Sequence, residues 1–318
     1  MIIDTIIAAL ISFAITAILC PIGIPVLHKL KFGQYIRELG PQEHQKKTGT
    51  PTMGGIMFII AILLTTVIFA GRYPMIIPVA LFMLAFGLVG FADDYLKVVK
   101  KQNEGLKVWQ KFLMQFVATA VFAFYLYKNP EIGTEIIIPF TGNYLKMGWV
   151  FIPFVFFVVI GTDNGVNFTD GLDGLCASVT CAVSVFFAVS AIKLDVQIAP
   201  IAGAVAGAML GYLIWNTYPA KVFMGDTGSL ALGGFVASYA LMTKLPVFII
   251  LTGIIYLCEV LTVMLQVGYF KATHGKRIFK MAPIHHHFEL CGWKETRVVA
   301  VFTIVTIIMS LVAFLGLN

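Results

Sequence analysis

The feature that most limits what this chain can fold into is a series of long, almost uncharged apolar runs. Of its 318 residues, 59% are hydrophobic and only 12% are charged, whereas soluble domains carry roughly 25% charged residues. Ten runs are long enough, or nearly so, to cross a bilayer as helices. They cover residues 5–27, 53–70, 74–92, 110–127, 149–164, 174–192, 196–215, 228–243, 246–270 and 297–316. We therefore predict an all-α integral membrane protein with about ten transmembrane helices in one polytopic domain, residues 1–318.

Two of these runs have features that set them apart from a simple membrane span. The first lysine is Lys29, so residues 5–27 lack a preceding basic region and are interpreted as a retained span rather than a cleaved signal peptide. The run 246–270 is the longest and contains Glu259 and Gln266. We expect it to be tilted or broken and to face protein or water at these residues.

The basic residues are distributed unevenly between the two sides of the membrane. Ten spans leave nine connections, and the odd-numbered ones, counted with adjoining helix ends, hold all but five of the 22 Lys and Arg residues. The positive-inside rule then places these connections in the cytoplasm and both termini outside. The net charge of +6 is spread over short loops and forms no basic domain. Nucleic acid is therefore excluded as a partner, and the lipid bilayer and anionic ligands are favoured.

Two smaller features complete the architecture predicted from the pattern. On the outer side, Glu135 to Pro139 and Tyr144 to Trp149 flank Thr141-Gly142-Asn143, which is typical of a small β-hairpin. The five cysteines show neither metal-ligand spacing nor a disulfide framework, and four of them lie within or at the end of apolar runs. We interpret them as small core residues.

Polar and acidic side chains interrupt the apolar pattern between the fifth and sixth runs, in the stretch Asn164–Gly174. If this stretch winds into helix from Asn167 onward, then Asn167, Asp170 and Asp173 recur at i, i+3 and i+6 and share one face. That face would form the floor of an active site at the membrane surface. The alternative is that the Asn, Asp and Gly residues only make turns and a helix N-cap.

Two adjacent carboxylates, Asp93 and Asp94, follow the third run directly. Adjacent side chains on a helix diverge by about 100°. The pair can therefore serve two partners more easily than one, such as a divalent cation and a second contact. The alternative is an ordinary ion pair between Asp93 and Lys97, four residues later at a helix end.

A lone acid, Asp226, stands among glycines and hydroxyls before the eighth run. Backbone N–H groups at such a helix start can approach phosphate oxygens. A carboxylate supplies the hard oxygen that Mg²⁺ prefers, and Mg²⁺ binds one or two carboxylates together with substrate phosphates. The alternative is that Asp226 or Thr227 simply caps the helix.

Three consecutive histidines, His285, His286 and His287, lie in the fifth cytoplasmic connection and cannot all point one way on a regular helix. A Zn²⁺ site is the obvious interpretation, but no Cys or His elsewhere has the spacing expected of further zinc ligands. Hydrogen bonding to a diphosphate, beside nearby lysines and arginine, fits better. The stretch His44–Gly55 in the first connection also suits an anionic ligand, although it lacks the residue order of a P-loop. It is equally typical of a basic cytoplasmic turn.

Five segments together resemble the polyprenyl-phosphate N-acetylhexosamine-1-phosphate transferases, and the resemblance covers essentially the whole chain, including the ten-span plan. The acidic motifs are shared across that superfamily, while the Thr-Pro-Thr-Met-Gly-Gly stretch and the histidine triplet indicate its muramoyl-pentapeptide branch. One departure is Phe168, where leucine is expected. The segments are Lys47–Gly55, Asp93–Lys97, Asn167–Gly174, Phe223–Ser229 and Pro283–Glu289.

The resemblance implies a Mg²⁺-dependent reaction in which UDP-MurNAc-pentapeptide and undecaprenyl phosphate give lipid I and UMP at the cytoplasmic face of the bacterial inner membrane. It implies a homodimer, Asp226 as the Mg²⁺ ligand, Asp93 and Asp94 as the catalytic pair and His286 as an essential histidine. Phe223 would stack on uracil. The other residues predicted to bind substrate are Lys47, Thr52, Lys97, Asn167, Asp170, Asp173, Asn216, Gly225, His285 and His287.

Two other functions remain to be distinguished. A transporter would place its site near the membrane midplane on broken helices in paired halves, whereas Glu259 is the main acidic candidate inside a span and no paired half has matching interruptions. A sister transferase that passes a plain hexosamine 1-phosphate to the same lipid is the closer alternative. An assay that compares UDP-MurNAc-pentapeptide with UDP-GlcNAc distinguishes the two transferases.

Overall fold

The computed structural model describes residues 1–30, 49–100 and 105–317, and helices dominate these ranges. Two short strands, β1 (Glu135–Ile137) and β2 (Tyr144–Lys146), form the sheet, and 3₁₀ turns at Gly148–Val150 and Pro246–Phe248 precede α5 and α9. The helices are α1 (Ile2–Lys29), α2 (Gly55–Ala70), α3 (Ile76–Lys100), α4 (Val108–Lys128), α5 (Phe151–Thr169), α6 (Leu175–Lys193), α7 (Ala199–Asn216), α8 (Gly225–Met242), α9 (Ile249–Thr252), α10 (Ile254–Ala272), α11 (Ile284–Leu290) and α12 (Glu295–Leu315).

Seven helices within the described ranges are long and apolar enough to cross a bilayer, namely α1, α3, α5, α6, α7, α10 and α12. Helix α2 is apolar but shorter. The chain is therefore a multi-pass, mainly helical membrane protein, as predicted. Every predicted apolar run overlaps one helix, except the run 246–270, which is divided between α9 and α10. The number of ten spans and the outward orientation of both termini stay predictions.

Helix α8 forms the centre of the bundle, because every residue from Thr227 to Met242 is buried. It packs chiefly against α3 and α5. The contact with α3 is unusually close, since a Cβ at Gly90 would lie 2.0 Å from the carbonyl oxygen of Asp226. At the periphery, α1 and α12 expose apolar side chains such as Ile3 and Leu315, which suits helices that face lipid.

A stripe of glycines on α7 lets the backbone of α1 approach closely. Gly203, Gly207 and Gly211 recur every four residues along the face of α7 that meets α1. A Cβ at Gly207 would lie 1.9 Å from the carbonyl oxygen of Ala9, and one at Gly203 would lie 2.5 Å from that of Thr5. Small residues at this spacing are a common device for packing helices within a membrane.

The predicted hairpin is present, with β1 and β2 antiparallel and Ile136 opposite Leu145. The turn between the strands binds the end of α12, since the N–H of Phe140 donates to the carbonyl of Gly316 at 3.0 Å. Asp4, near the start of α1, accepts hydrogen bonds from the α2–α3 connection, which borders the same cavity as β1. The described ends of the chain therefore lie at the hairpin end of the bundle.

The longest apolar run is broken, as expected, but upstream of its polar residues. Helix α9 ends at Thr252, and α10 begins at Ile254 after Gly253. Glu259 lies within α10 and is completely buried, so it faces protein. The side chain of Gln266 bonds to backbone groups of residues 278 and 279. Gln266 therefore holds the connection after α10 against the helix.

Candidate active site

Three carboxylates meet where the end of α3 touches the start of α8. Asp93 and Asp94 are buried on α3, and Asp226 occupies the first turn of α8. One oxygen from each of the three lies within 4.8 Å of the others. The close backbone approach at Gly90 makes this meeting possible, because a side chain there would separate the two helices. Residues 132 positions apart in the sequence thereby form one carboxylate cluster.

Asp94 satisfies the backbone donors at the start of α8. Its carboxylate accepts hydrogen bonds from the N–H of Asp226 at 3.2 Å and from the N–H and hydroxyl of Thr227 at 2.8 and 2.7 Å. The first N–H groups of a helix lack partners within the helix, and an acid beside them is favourable. Helix α8 is therefore capped from α3, rather than by Asp226 or Thr227 as the capping alternative held.

Asp226 is held by three polar side chains from three helices. One carboxylate oxygen accepts hydrogen bonds from the ammonium groups of Lys97 at 2.8 Å and Lys111 at 3.1 Å. The other accepts from the amide of Asn167 at 2.9 Å. Lys97 also forms an ion pair with Asp93 at 2.6 Å. The i,i+4 pair considered from the sequence is thus present, but as part of a larger network.

Lys111 and Glu295 belong to this region and were missed from the sequence. Lys111 lies in the first turn of α4, where a cation is unfavourable to the helix dipole, and this conflict was an available signal. Glu295 accepts a hydrogen bond from the backbone N–H of Asp173 at 2.6 Å. An acid in the first turn of α12 is already explained by the dipole, so its sequence position gave no signal.

The carboxylate cluster fits a divalent cation by the chemistry of its donors. Carboxylate oxygens are the hard ligands that Mg²⁺ prefers, and one or two of them suffice when substrate phosphates complete the shell. Asp226 and Asp93 are the members best placed to bind an ion, because Asp94 is engaged by the helix start. The ammonium groups of Lys97 and Lys111 now bind the oxygens that an ion would need.

The acidic stretch after α5 forms a turn rather than a helix. Helix α5 continues to Thr169 and α6 begins at Leu175. The condition under which Asn167, Asp170 and Asp173 would share a helix face is therefore not met. Asn167 stands on α5 and reaches the carboxylate cluster, whereas the two aspartates lie in the turn.

Asp170 stands in an environment that disfavours a negative charge. Burial raises the pKa of its carboxyl group well above the ordinary value, and the carboxylates of Asp226, Asp94 and Asp173 raise it further. Three other carboxylates are therefore close enough to disfavour a negative charge on Asp170. A cation or a group of N–H donors is the natural complement of such a region.

Asp173 and Asn216 join the turn after α5 to the loop that leads into α8. The Asp173 carboxylate accepts the N–H of Ala220 at 2.9 Å. The Asn216 amide accepts the N–H of Gly174 at 3.2 Å and donates to the carbonyl of Val222 at 2.8 Å. Both side chains are buried. Their contacts brace the loops around the carboxylate cluster.

Thr52, Phe223 and Gly225 lie where the start of α2 meets the start of α8. The carbonyl of Phe223 accepts the N–H of Gly54 at 2.8 Å, so the two segments pair through their backbones. Gly225 has φ +67°, and a Cβ there would lie 2.5 Å from an Asp94 oxygen and 2.7 Å from the hydroxyl of Thr52. Only glycine adopts this backbone without strain and leaves room for both neighbours.

The histidine triplet occupies the short helix α11, and the three rings point in different directions, as expected. Adjacent side chains on a helix are about 100° apart, so each ring meets a different partner. His285 Nδ1 pairs with Glu259 at 3.0 Å, His286 Nδ1 with Glu289 at 2.8 Å, and His287 Nδ1 accepts the backbone N–H of Lys280 at 3.1 Å.

His285 connects the triplet to the acidic turn. It is buried, and a Cβ at Gly171 would lie 2.2 Å from its Nε2 atom, so the ring packs directly on that glycine. In the part of the chain that the structure describes, the group of three potential metal ligands is the carboxylate cluster, and it includes no histidine. The triplet therefore gives no support for the zinc alternative.

The structure brings most of the predicted residues into contact with one another. Lys47 lies outside the described residues. The carboxylate cluster and the residues beside it are Asp93, Asp94, Asp226, Lys97, Asn167, Gly225 and, next to Gly225, Thr52. The surrounding loops and α11 carry Asp170, Asp173, Asn216, Phe223, His285, His286 and His287.

Comparison with known proteins places these residues within a described family. The profile of glycosyl transferase family 4 matches residues 75–244, which include the carboxylate cluster but not the histidines. A protein of Clostridium novyi is 51% identical over 98% of this chain and 96% of its own length. Proteins of Clostridium perfringens strain 13 and Clostridium kluyveri are 51% and 50% identical, over 98% of both chains. All three bear the name phospho-N-acetylmuramoyl-pentapeptide-transferase.

Proposed function

Because this chain belongs to the phospho-N-acetylmuramoyl-pentapeptide transferases of glycosyl transferase family 4, we propose that the carboxylate cluster is the centre of its active site. The enzyme transfers phospho-N-acetylmuramoyl-pentapeptide from UDP-MurNAc-pentapeptide to undecaprenyl phosphate, and the products are lipid I and UMP. The observation that carries the proposal is the meeting of Asp93, Asp94 and Asp226 with Lys97 and Lys111. This set of charges complements two anionic substrates and a metal ion.

Asp226 and Asp93 are the residues proposed to hold Mg²⁺. When bound, the ion would neutralise charge on the donor diphosphate and orient it. Asn167 fixes the orientation of Asp226 through its amide. Lys97 and Lys111 supply ammonium groups that can bind phosphate oxygens and offset the repulsion between donor and acceptor.

We propose direct attack of the lipid phosphate on the β-phosphate of the donor. A phosphate monoester has a second pKa of about 6, so the acceptor is largely a dianion at neutral pH and needs little help from a base. Asp94 is engaged by Thr227 and the start of α8, and Asp93 accepts hydrogen bonds from the N–H of Leu106 and from Lys97. Carboxylates held in this way suit positioning better than nucleophilic attack.

The nucleotide and sugar are proposed to bind in the loops around the carboxylate cluster. Phe223 is partly exposed beside the start of α8 and offers a ring on which uracil can stack. His286 and His287 on α11 are proposed to donate hydrogen bonds to the diphosphate. Lys47 belongs to this proposal by resemblance alone. A homodimer is likewise proposed from the resemblance, and the size of the complex in a native mass spectrum checks it.

The proposed site places catalysis at the cytoplasmic face of the inner membrane. Support comes from the basic residues, which concentrate in the connections predicted to be cytoplasmic, and from the described chain ends, which lie at the hairpin end of the bundle. In this arrangement ten helices span the bilayer and both termini are outside.

The experiment that tests the proposed site measures lipid I formation by the Asp226→Asn variant. The substitution removes the charge of one metal ligand with little change in size, so turnover should fall on the order of 10²-fold or more while the fold survives. Asp195→Asn is the matched control, because Asp195 is an exposed acid in the turn after α6. Near-normal turnover of Asp226→Asn at saturating Mg²⁺ would contradict the proposal.

A further inference from the structure

A second polar layer lies one helical turn from the carboxylate cluster, inside the bundle. Asp163 on α5 is completely buried, and one of its oxygens accepts a hydrogen bond from the amide of Gln115 on α4 at 2.6 Å. Gln115 follows Lys111 by four residues, and Asp163 precedes Asn167 by four. The two layers therefore stack on the same faces of the same helices, about one turn apart.

The other oxygen of Asp163 is buried and has no hydrogen-bond partner among residues 1–30, 49–100 and 105–317. On helix α8, Gly233 packs directly against this oxygen, since a Cβ there would lie only 2.4 Å from it. A buried carboxylate oxygen without a donor is unfavourable. Its presence points to a donor that arrives in another state of the enzyme.

Lys111 is the donor that the geometry favours. Its ammonium group binds Asp226 at 3.1 Å, beside that of Lys97 at 2.8 Å. Lys111 lies one turn before Gln115 on α4, and the amide of Gln115 already binds Asp163. A lysine side chain is long and flexible, so a small rotation can carry its ammonium group from one carboxylate toward the other.

Metal binding supplies the reason for such a movement, and here the inference rests on the proposed metal site. A divalent cation at Asp226 competes with both ammonium groups for the same carboxylate and repels them. Lys97 also lies 3.8 Å from Asp94, which is not a proposed metal ligand, whereas the ion pair of Lys111 is with Asp226. We propose that Asp163 is a positioning residue that receives Lys111 when a metal ion binds Asp226, so that the ammonium group stays beside the site.

The test is a double-mutant cycle on metal binding by the purified full-length protein without substrate. Mn²⁺ binding is followed by electron paramagnetic resonance for the parent protein, Asp163→Asn, Lys111→Met and the double variant. Asp163→Asn should weaken Mn²⁺ binding on the order of tenfold, because Lys111 loses its second acceptor. Lys111→Met should tighten binding by removing the competing cation. In the Lys111→Met background, Asp163→Asn should change little.

Equal weakening of Mn²⁺ binding by Asp163→Asn in both backgrounds would overturn the inference. The charge of Asp163 would then act on the metal ion independently of Lys111. No weakening in either background would overturn it as well. If the parent protein binds no Mn²⁺, both the proposed metal site and this inference are contradicted. If it binds Mn²⁺ but the effects of Asp163→Asn and Lys111→Met are additive, only this inference is contradicted.

The controls separate positioning from a loss of structure. Asp195→Asn removes the same charge in an exposed turn and should leave Mn²⁺ binding unchanged. Thermal unfolding of each variant checks its fold. Should Asp163→Asn fail to fold, Asp163→Ser replaces it in the cycle, because a small hydroxyl side chain fits beside Gly233 and is equally neutral. The expected coupling with Lys111 is the same for both replacements.

Discussion

Single residues in the carboxylate cluster have different roles despite their short separations. Asp226 is bound by two ammonium groups, of Lys97 and Lys111, and by the amide of Asn167. Asp94 is bound instead to the backbone of a helix that the whole bundle surrounds. The acid that we propose to bind a metal ion is therefore a different residue from the acid that caps α8.

This separation predicts different effects of two substitutions at Asp94. Asp94→Ala removes the cap of α8 and should lower the free energy of unfolding by about 1–2 kcal/mol, as expected for loss of a helix cap. Asp94→Asn retains one oxygen that can still accept from the N–H and hydroxyl of Thr227, so it should lose less. Thermal unfolding in detergent checks the order of the two variants. Equal melting temperatures would show that the hydrogen bonds to Thr227 add nothing measurable.

The chemical step gives a second prediction at this scale. Direct displacement by the lipid phosphate inverts the configuration of the β-phosphorus, whereas two successive displacements through an aspartyl intermediate retain it. We expect inversion, because both oxygens of Asp93 and Asp94 are held by hydrogen bonds or ion pairs. A donor with a chiral β-phosphorothioate provides the measurement. Retained configuration in the product would identify one of these aspartates as the nucleophile.

Among the helices, the packing of α1 on α7 depends on glycine more than on large apolar side chains. Gly207→Ala should destabilise the protein, because the added Cβ would lie 1.9 Å from a carbonyl oxygen of α1 and the two helices must move apart. Gly268→Ala on α10 is the matched control, since no atom lies within 4 Å of the Cβ position there. Alanine has a higher helix propensity than glycine, so the control substitution should be neutral or slightly stabilising.

Thermal unfolding in detergent distinguishes the two glycine variants. We expect a lower melting temperature for Gly207→Ala than for the parent protein and no decrease for Gly268→Ala. A decrease of similar size in both would attribute the effect to glycine in general rather than to the contact between α1 and α7.

For the whole molecule, the predicted topology can be tested by labelling. Single cysteines placed at Lys276 and at Gly142, in a variant without the native cysteines, should react with an impermeant reagent from opposite sides of the membrane. Lys276 should react only from the cytoplasm and Gly142 only from outside. Labelling of both from the same side would overturn the ten-span arrangement and the proposed orientation of the site.

The sequence sufficed for features that depend on local patterns. The apolar runs predicted the helices, and the residues flanking Gly142 predicted the hairpin. It did not suffice where a side chain finds its partner on a distant helix. The binding of Lys111 to Asp226, and of Asp94 to the start of α8, joins positions more than 100 residues apart. Hydrophobic periodicity carries no information about such pairs, because it describes which face is buried but not which helix covers it.

The partnership of α1 with α7 also has a consequence for how the chain is made. During synthesis, α1 leaves the ribosome roughly 170 residues before α7 begins. At about 5–20 residues per second, α1 waits on the order of ten to thirty seconds for the glycine stripe that it packs against. Thr5 and Thr16, which pack against that stripe in the finished protein, lack its cover throughout the interval.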